Sequence, residues 1–267
     1  MKRPSLAGSG RGLRHVAWAL LLVLTALYLS WRALAAMDFG YPLLYRPLGL
    51  EQNIQTYAPR NTIRPGFQLT SREERFRLFA GIGRAIRNDG QGLAGLRYHD
   101  TRGRELGTLL TAPEIVHLQD VAHLVARFER VGLLALFGWL GLCVWQRRRG
   151  WPLPTLPSLL LGTVAVLAAG GLLVAVVGPG ALFYWLHEVI FPPDHPWFFY
   201  YQASLMSTMM RAPVLFGGIA VLWLALALVF LALLYALARR LAPGPSADAA
   251  ALSESRAMPR RARRSRR

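Results

Sequence analysis

Apolar residues in this chain gather into four blocks, separated by polar or mixed stretches. The first covers residues 16–36 and is broken only by Arg32. The second, 131–146, is short. The third, 158–178, and the fourth, 213–238, carry no charged residue. Such long uncharged runs mark helices that meet lipid rather than the core of a water-soluble protein. The fold class they predict is all-α: a polytopic membrane protein with four transmembrane helices.

The long segment 37–130 predicts helices of its own, and so a helical cap over the bundle. Ser71 to Glu74 has the spacing of a capping box, opening a helix that runs to about Arg87, where Asn88-Asp89-Gly90 stops it. Thr111 to Glu114 is a second capping box, with Pro113 in the first turn. No breaker follows until Gly132, so this helix is expected to run directly into the second span. The outer end of that span borrows Phe128 and the snorkelling Arg127 and Arg130. Gly170-Gly171 in the third span suits close helix packing. Gly178-Pro179-Gly180 ends that span, and an aromatic segment, 179–212, leads to the fourth. The first block follows a basic start and resembles a signal sequence, with Ala33-Leu34-Ala35 as a small-residue cleavage site. Its length and the nearby Arg32 favour retention as an anchor.

Charge orients the spans. The net charge of +17 would suit nucleic acid, but its distribution points elsewhere. The N-terminus 1–15, the loop 147–157 and the tail 239–267 together hold 16 Lys/Arg and two acids, Asp248 and Glu254. Segments 37–130 and 179–212 hold 14 Arg against 12 acids. The positive-inside rule then places both termini in the cytoplasm and the cap outside. The tail, rich in Pro, Ser, Ala and Arg, is expected to be disordered, to set topology first and to meet anionic lipid head groups second. No nucleic-acid partner is expected. The single cysteine, Cys143, excludes an intrachain disulfide and a Cys-rich metal site.

Candidate chemistry clusters on the predicted outer side. His117 and Asp120, three apart on a helix, share a face, and a carboxylate beside an imidazole can orient it for acid–base work. The same spacing also describes an ordinary surface pair. His187 lies nine residues past Gly178 among Phe183, Tyr184, Trp185 and Phe191, with Trp197 and Phe198 following. These aromatics read either as an interfacial belt or as a greasy platform for an acyl chain with one ionisable group inserted. His187-Glu188 begins like a zinc-protease motif, but Phe191 stands where the second histidine belongs. Four histidines, His117, His123, His187 and His195, leave a haem- or metal-binding bundle open as an alternative, and a non-catalytic scaffold as another. Ser204, Ser207 and Thr208 show no base beside them. Six outer arginines, Arg72, Arg75, Arg77, Arg84, Arg87 and Arg127, read mostly as solvated, with one or two free to meet a lipid phosphate or a developing oxyanion.

Taken together, Glu114 with His117-Leu118-Gln119-Asp120-Val121 before the second span, and Leu186-His187-Glu188-Val189-Ile190-Phe191 with Trp197-Phe198 after the third, resemble the lipoprotein intramolecular transacylase (Lit) family. The resemblance covers roughly residues 12 to 240. It implies a membrane acyltransferase acting on a lipoprotein whose N-terminal cysteine carries a diacylglyceryl thioether. An acyl chain would move from the glycerol oxygen to the cysteine amine, without a cofactor. The substrate would lie in the outer leaflet. By that resemblance the two functional histidines are His117 and His187. The expected assignment makes His117 the base, oriented by Asp120, and His187 the acid or oxyanion partner, with the reverse also open. Phe183, Trp185, Phe191 and Trp197 would hold acyl chains.

Overall fold

The computed structural model describes residues 6–241. The basic tail beyond them lies outside the described residues, and with it the expectations of disorder and of head-group contact there. Nine α-helices follow one another among the described residues: α1 (Leu6–Ala36), α2 (Tyr41–Leu44), α3 (Leu50–Tyr57), α4 (Arg72–Arg87), α5 (Ala112–Arg148), α6 (Leu156–Val177), α7 (Pro179–Ile190), α8 (Leu205–Met210) and α9 (Val214–Leu241). Four of them, α1, α5, α6 and α9, are long and apolar enough to cross a membrane. The all-α reading holds, with one addition: a small antiparallel hairpin, β1 (Arg97–His99) and β2 (Glu105–Thr108). Its turn is closed by Asp100 Oδ1, which accepts from the backbone N–H groups of Arg102 and Arg104, while Gly103 takes the left-handed conformation at φ +78°.

The bundle is built around α1, which packs against both α5 and α9. Its closest approach to α5 is at Gly132, where an added Cβ would lie 2.3–2.8 Å from Tyr28. At one end Arg32 pairs with Glu129 at 3.0 Å. At the other, the Arg14 guanidinium sits 4.1 Å over the Trp151 ring, beside the connection between α5 and α6. Arg14 to Arg32 on α1, and Glu129 to Arg147 on α5, each span roughly 27 Å at the helical rise. That length suits the hydrocarbon thickness of a bilayer. The connection thus marks a loop side and the small helices a cap side. The first four turns of α5 project into the cap, as the missing breaker predicts.

The third span departs from expectation. Nothing lies within 4 Å of a Cβ placed on Gly170 or Gly171, so these glycines admit no close packing. Only Leu159 of α6 is buried. Beyond its first turn, where Leu159 joins a cluster with Trp18, Trp139 and Tyr235, the helix leaves its surface for lipid. Segment 179–212 is also more regular than its aromatic composition suggested, since it contains α7 and α8.

The cap closes on a core of Tyr41, Tyr45, Ile54, Phe67, Leu78 and Phe79, with the Tyr41 and Phe79 rings stacked at 4.1 Å. Arg75 lies inside this core at 2% exposure and is not solvated. Its Nη1 donates to Tyr45 Oη at 2.6 Å and Glu51 Oε1 at 2.7 Å, its Nε to Thr70 Oγ1 and its Nη2 to Thr70 O, both at 2.9 Å. A buried guanidinium requires such a set of acceptors. The two capping boxes differ. Ser71 Oγ accepts from the Glu74 N–H, but the Glu74 carboxylate turns away to Arg77 and His99. Thr111 and Glu114 make both reciprocal bonds.

The contact at Gly132 makes one prediction. Gly132→Ala forces the Tyr28 ring and its own Cβ aside and is expected to cost about 1–3 kcal/mol, read as a lower thermal-inactivation midpoint. Gly141→Ala has open space within 4 Å and is expected to leave the midpoint unchanged. Equal behaviour of the two variants would contradict the close α1–α5 crossing.

Candidate active site

Glu114 organises the site. It is fully buried, and one carboxylate oxygen accepts from the Thr111 N–H at 2.6 Å and the Thr111 hydroxyl at 2.8 Å. The other accepts from Ser204 Oγ at 2.5 Å. Ser204 is itself the N-cap of α8, accepting from the Ser207 N–H at 2.8 Å. One carboxylate therefore joins the starts of α5 and α8, each with the negative charge near a positive helix terminus. The segment between α7 and α8 is thereby drawn over α5. Ser204 and Thr208, which looked like ordinary polar positions, are both buried joints.

One turn after Glu114, His117 faces α7. The α6–α7 corner is turned by Gly178, at φ +86°, with Pro179 in the first turn of α7. This sets α7 against the projecting part of α5, and the His117 and His187 rings come to 6.0 Å between centroids. Phe191 lies 4.8 Å from His117 and 5.3 Å from His187. Phe183 lies 4.1 Å and Trp197 5.0 Å from His187. His187 Nδ1 is 2.7 Å from the Phe183 carbonyl oxygen. A carbonyl only accepts, so Nδ1 carries the proton and Nε2 of the neutral ring presents a lone pair.

Both rings lie in the wall of an apolar cavity of about 470 Å³. It runs from the membrane-boundary level, marked by Trp31, Phe216 and Ile219, up to the two histidines. Phe183 and Trp197 line it as expected. Phe191 instead packs on the outer side of the imidazole pair. Trp185 does not take part: it is 55% exposed and absent from the lining, because two residues along a helix from His187 is more than half a turn away. Ser207, Phe39, Phe79 and Phe199 enter the lining through folding of the cap and carry no sequence signal of doing so.

The expected His117–Asp120 pair is not formed. Asp120 Oδ2 binds His195 Nδ1 at 2.6 Å. The intervening segment crosses α5 there, and its imidazole has the reach and orientation that His117, turned toward α7, lacks. Burial pushes the His117 pKa down to about 4, the His187 ring adds to the fall, and the Asp120 carboxylate opposes it. Burial also lowers His187, against the Phe183 carbonyl. His195 is raised by its hydrogen bond to Asp120. Burial thus favours the neutral form of the two inner imidazoles, and Asp120 favours the protonated form of the one at the rim. His123 pairs with Asp89 at 3.6 Å and does not line the cavity. Among the described residues, no group of three or more His, Cys, Asp or Glu side chains is arranged to hold a metal ion.

Neither a protein-family model nor a curated protein matches the chain by sequence. Solved structures do match its fold. The in meso structure of the membrane integral lipoprotein intramolecular transacylase Lit from Bacillus cereus aligns with 88% of this chain and 96% of its own, at 17% identity and a TM-score of 0.59. A form of it with one histidine replaced by alanine gives the same identity and TM-score over 94% of that chain. A form with a histidine replaced by arginine gives 16% and 0.58 over 93%. At that identity the likeness is one of fold: this chain is a multi-pass membrane protein with the architecture of a lipoprotein intramolecular transacylase.

Proposed function

We propose that the protein is an intramolecular acyltransferase that moves an acyl chain from a glycerol oxygen to the N-terminal cysteine amine of a diacylglyceryl lipoprotein. The observation that carries this reading is the meeting of His117 and His187 in one apolar cavity that begins at the membrane boundary. The transacylase fold supports it. Charge distribution favours a cap that faces outward from a bacterial plasma membrane, with substrate arriving from the outer leaflet. Phe183 and Trp197 would hold acyl chains.

Amine and ester belong to one molecule, so a large part of the acceleration is orientation, on the order of 7–11 kcal/mol for well-placed groups. The amine nitrogen attacks the ester carbonyl carbon. His187 Nε2 accepts the proton lost by the amine, since Nδ1–H is committed to Phe183 O. A neutral His117 donates an N–H to the developing oxyanion. The C–O bond to glycerol then breaks, and the proton held by His187 passes to the leaving oxygen. An amide and a free hydroxyl result, and the enzyme is unchanged. No covalent intermediate is needed. This division of roles reverses the first expectation, because Asp120 is occupied by His195 and the His187 tautomer is set by its own helix. Asp120 and His195 would hold the covering segment in place.

Transfer conserves mass, so the test is tandem mass spectrometry of a lipoprotein's N-terminal peptide, which distinguishes an N-acyl from a free N-terminus. His117→Ala and His187→Ala are each expected to lower N-acyl product roughly 10²–10⁴-fold while the protein still inserts. Unaltered product from either variant would discard the assignment. Trp197→Ala is expected to slow transfer strongly, and Trp185→Ala to leave it within about threefold of the parent, since a surface change far from the lining acts weakly.

The three imidazoles should also titrate apart. The folded pKa of His117, about 4, lies below its free value, so at pH 6 it stays neutral; His187 shifts in the same direction and His195 in the opposite one. Nitrogen NMR of labelled histidine would read this directly, and a protonated His117 at pH 6 would contradict it. The sign for stability follows: the contribution from neutral His117 is complete above about 6.5 and is lost as pH falls toward 4.

A further inference from the structure

Helix α8 is buried except at one residue. Leu205, Met206, Thr208, Met209 and Met210 are buried; Ser207 is only partly so, and it lines the cavity that holds His117 and His187. Three hydroxyls lie on this segment, and two are committed. Ser204 Oγ donates to Glu114, and Thr208 Oγ1 donates to the Ser204 carbonyl oxygen at 2.9 Å. Ser207 bonds through its backbone: its N–H donates to Ser204 Oγ, and its carbonyl oxygen accepts from the Arg211 N–H at 2.9 Å. Its own Oγ is left without a partner among the described residues. Tyr184, Tyr200 and Tyr201 also bring hydroxyls to the lining. The first two are exposed, and the Tyr201 ring stacks on Tyr57 of α3 at 4.5 Å. Glu114 and Ser204 are bonded, and His117 and Ser207 each lie about one turn further along their helices. Both side chains therefore enter the cavity a turn away from the same joint.

We propose that Ser207 Oγ is a second oxyanion donor. Its O–H and the His117 N–H together hold the carbonyl oxygen of the migrating ester as that carbon becomes tetrahedral. This assignment rests on the acyl-transfer reading. When the amine attacks, the ester oxygen gains negative charge among walls such as Phe79, Ile82, Leu118 and Met210. A charge in that setting needs preorganised donors, and His117 supplies a single N–H. Ser207 adds another without covalent change: the hydroxyl keeps its proton while the oxyanion forms and collapses and the glycerol oxygen departs. An activated nucleophile would be hydrogen-bonded to its base; a donor has no such need. The contact to Ser204 uses the backbone N–H of residue 207, so Ser207→Ala removes the hydroxyl and leaves the Ser204–Glu114 joint in place.

The experiment uses the full chain in lipid-containing detergent and a synthetic peptide with an N-terminal S-diacylglyceryl cysteine, with N-acyl product measured over a range of substrate concentrations. Ser207→Ala is expected to lower kcat roughly 10²-fold, with KM within about threefold of the parent, because the bond is made only in the transition state. Its thermal midpoint is expected to match the parent's. Ser207→Thr keeps a hydroxyl and is expected to recover most of the rate. Ser207→Cys, close in size but a weak donor, is expected to stay slow, and its comparison with Ser207→Thr decides the matter should Ser207→Ala fail to fold. A parent that forms no N-acyl product defeats the acyl-transfer reading itself. With an active parent, an unchanged kcat in Ser207→Ala, a loss confined to KM, or equal rates for the Thr and Cys variants overturns the role of Ser207 alone.

Discussion

Everything at the cap end depends on one buried carboxylate. Glu114 is three residues into α5, where its charge meets the positive end of that helix, and its second oxygen receives the hydroxyl that caps α8. A carboxylate group with no exposure needs hydrogen-bond partners for its oxygens, and here Thr111 and Ser204 supply three donors. The bond to Ser204 spans 90 residues of sequence. Together with the bonds from Asn61 to Tyr201 O and from Thr62 to Gln202 O, it anchors the far end of the chain between α7 and α8, from which Trp197 and Phe199 close around the histidines. His195 bound to Asp120 fixes the same segment nearer its beginning.

The second constraint is the continuity of α5. A single 37-residue helix carries the bundle contact at Gly132, the boundary pair at Glu129 and the imidazole of His117 on one rod. Rigidity holds His117 at a set height above the Arg32–Glu129 pair. The α6–α7 corner then decides what it faces. α6 makes few contacts of its own, so α7 is located by its aromatic packing on α5 and α9, including Phe183 against Phe216.

Chemically, the outcome is a pair of imidazoles kept neutral by their surroundings. Rings of Phe183, Phe191, Phe199 and Trp197 exclude the water that would stabilise a charge, and the carboxylate that could have offset this is engaged elsewhere. A neutral imidazole accepts a proton through one nitrogen and donates through the other, and the Phe183 carbonyl selects which is which for His187. The contrast with His195, partly buried and bonded to Asp120, shows that location rather than residue type sets the behaviour.

Sequence alone determined the helical class and the four spans, because runs of uncharged apolar residues have no other stable setting. It determined the start of α5, because Thr111 and Glu114 are three apart in the chain and their bonds are local. It also marked His117 and His187 as the residues to watch. The hairpin at 97–108 was missed because strands of three and four residues leave too little alternation to read, although Asp100 and Gly103 supply its turn. Tertiary structure decided the partners. Asp120 faces His195 across 75 residues, Arg75 is buried among groups from three elements, and Trp185 points outward by the angle of its helix. Local spacing says which side chains share a helix face; which of them meet depends on how separate helices cross, and that is set by packing between residues far apart in the chain.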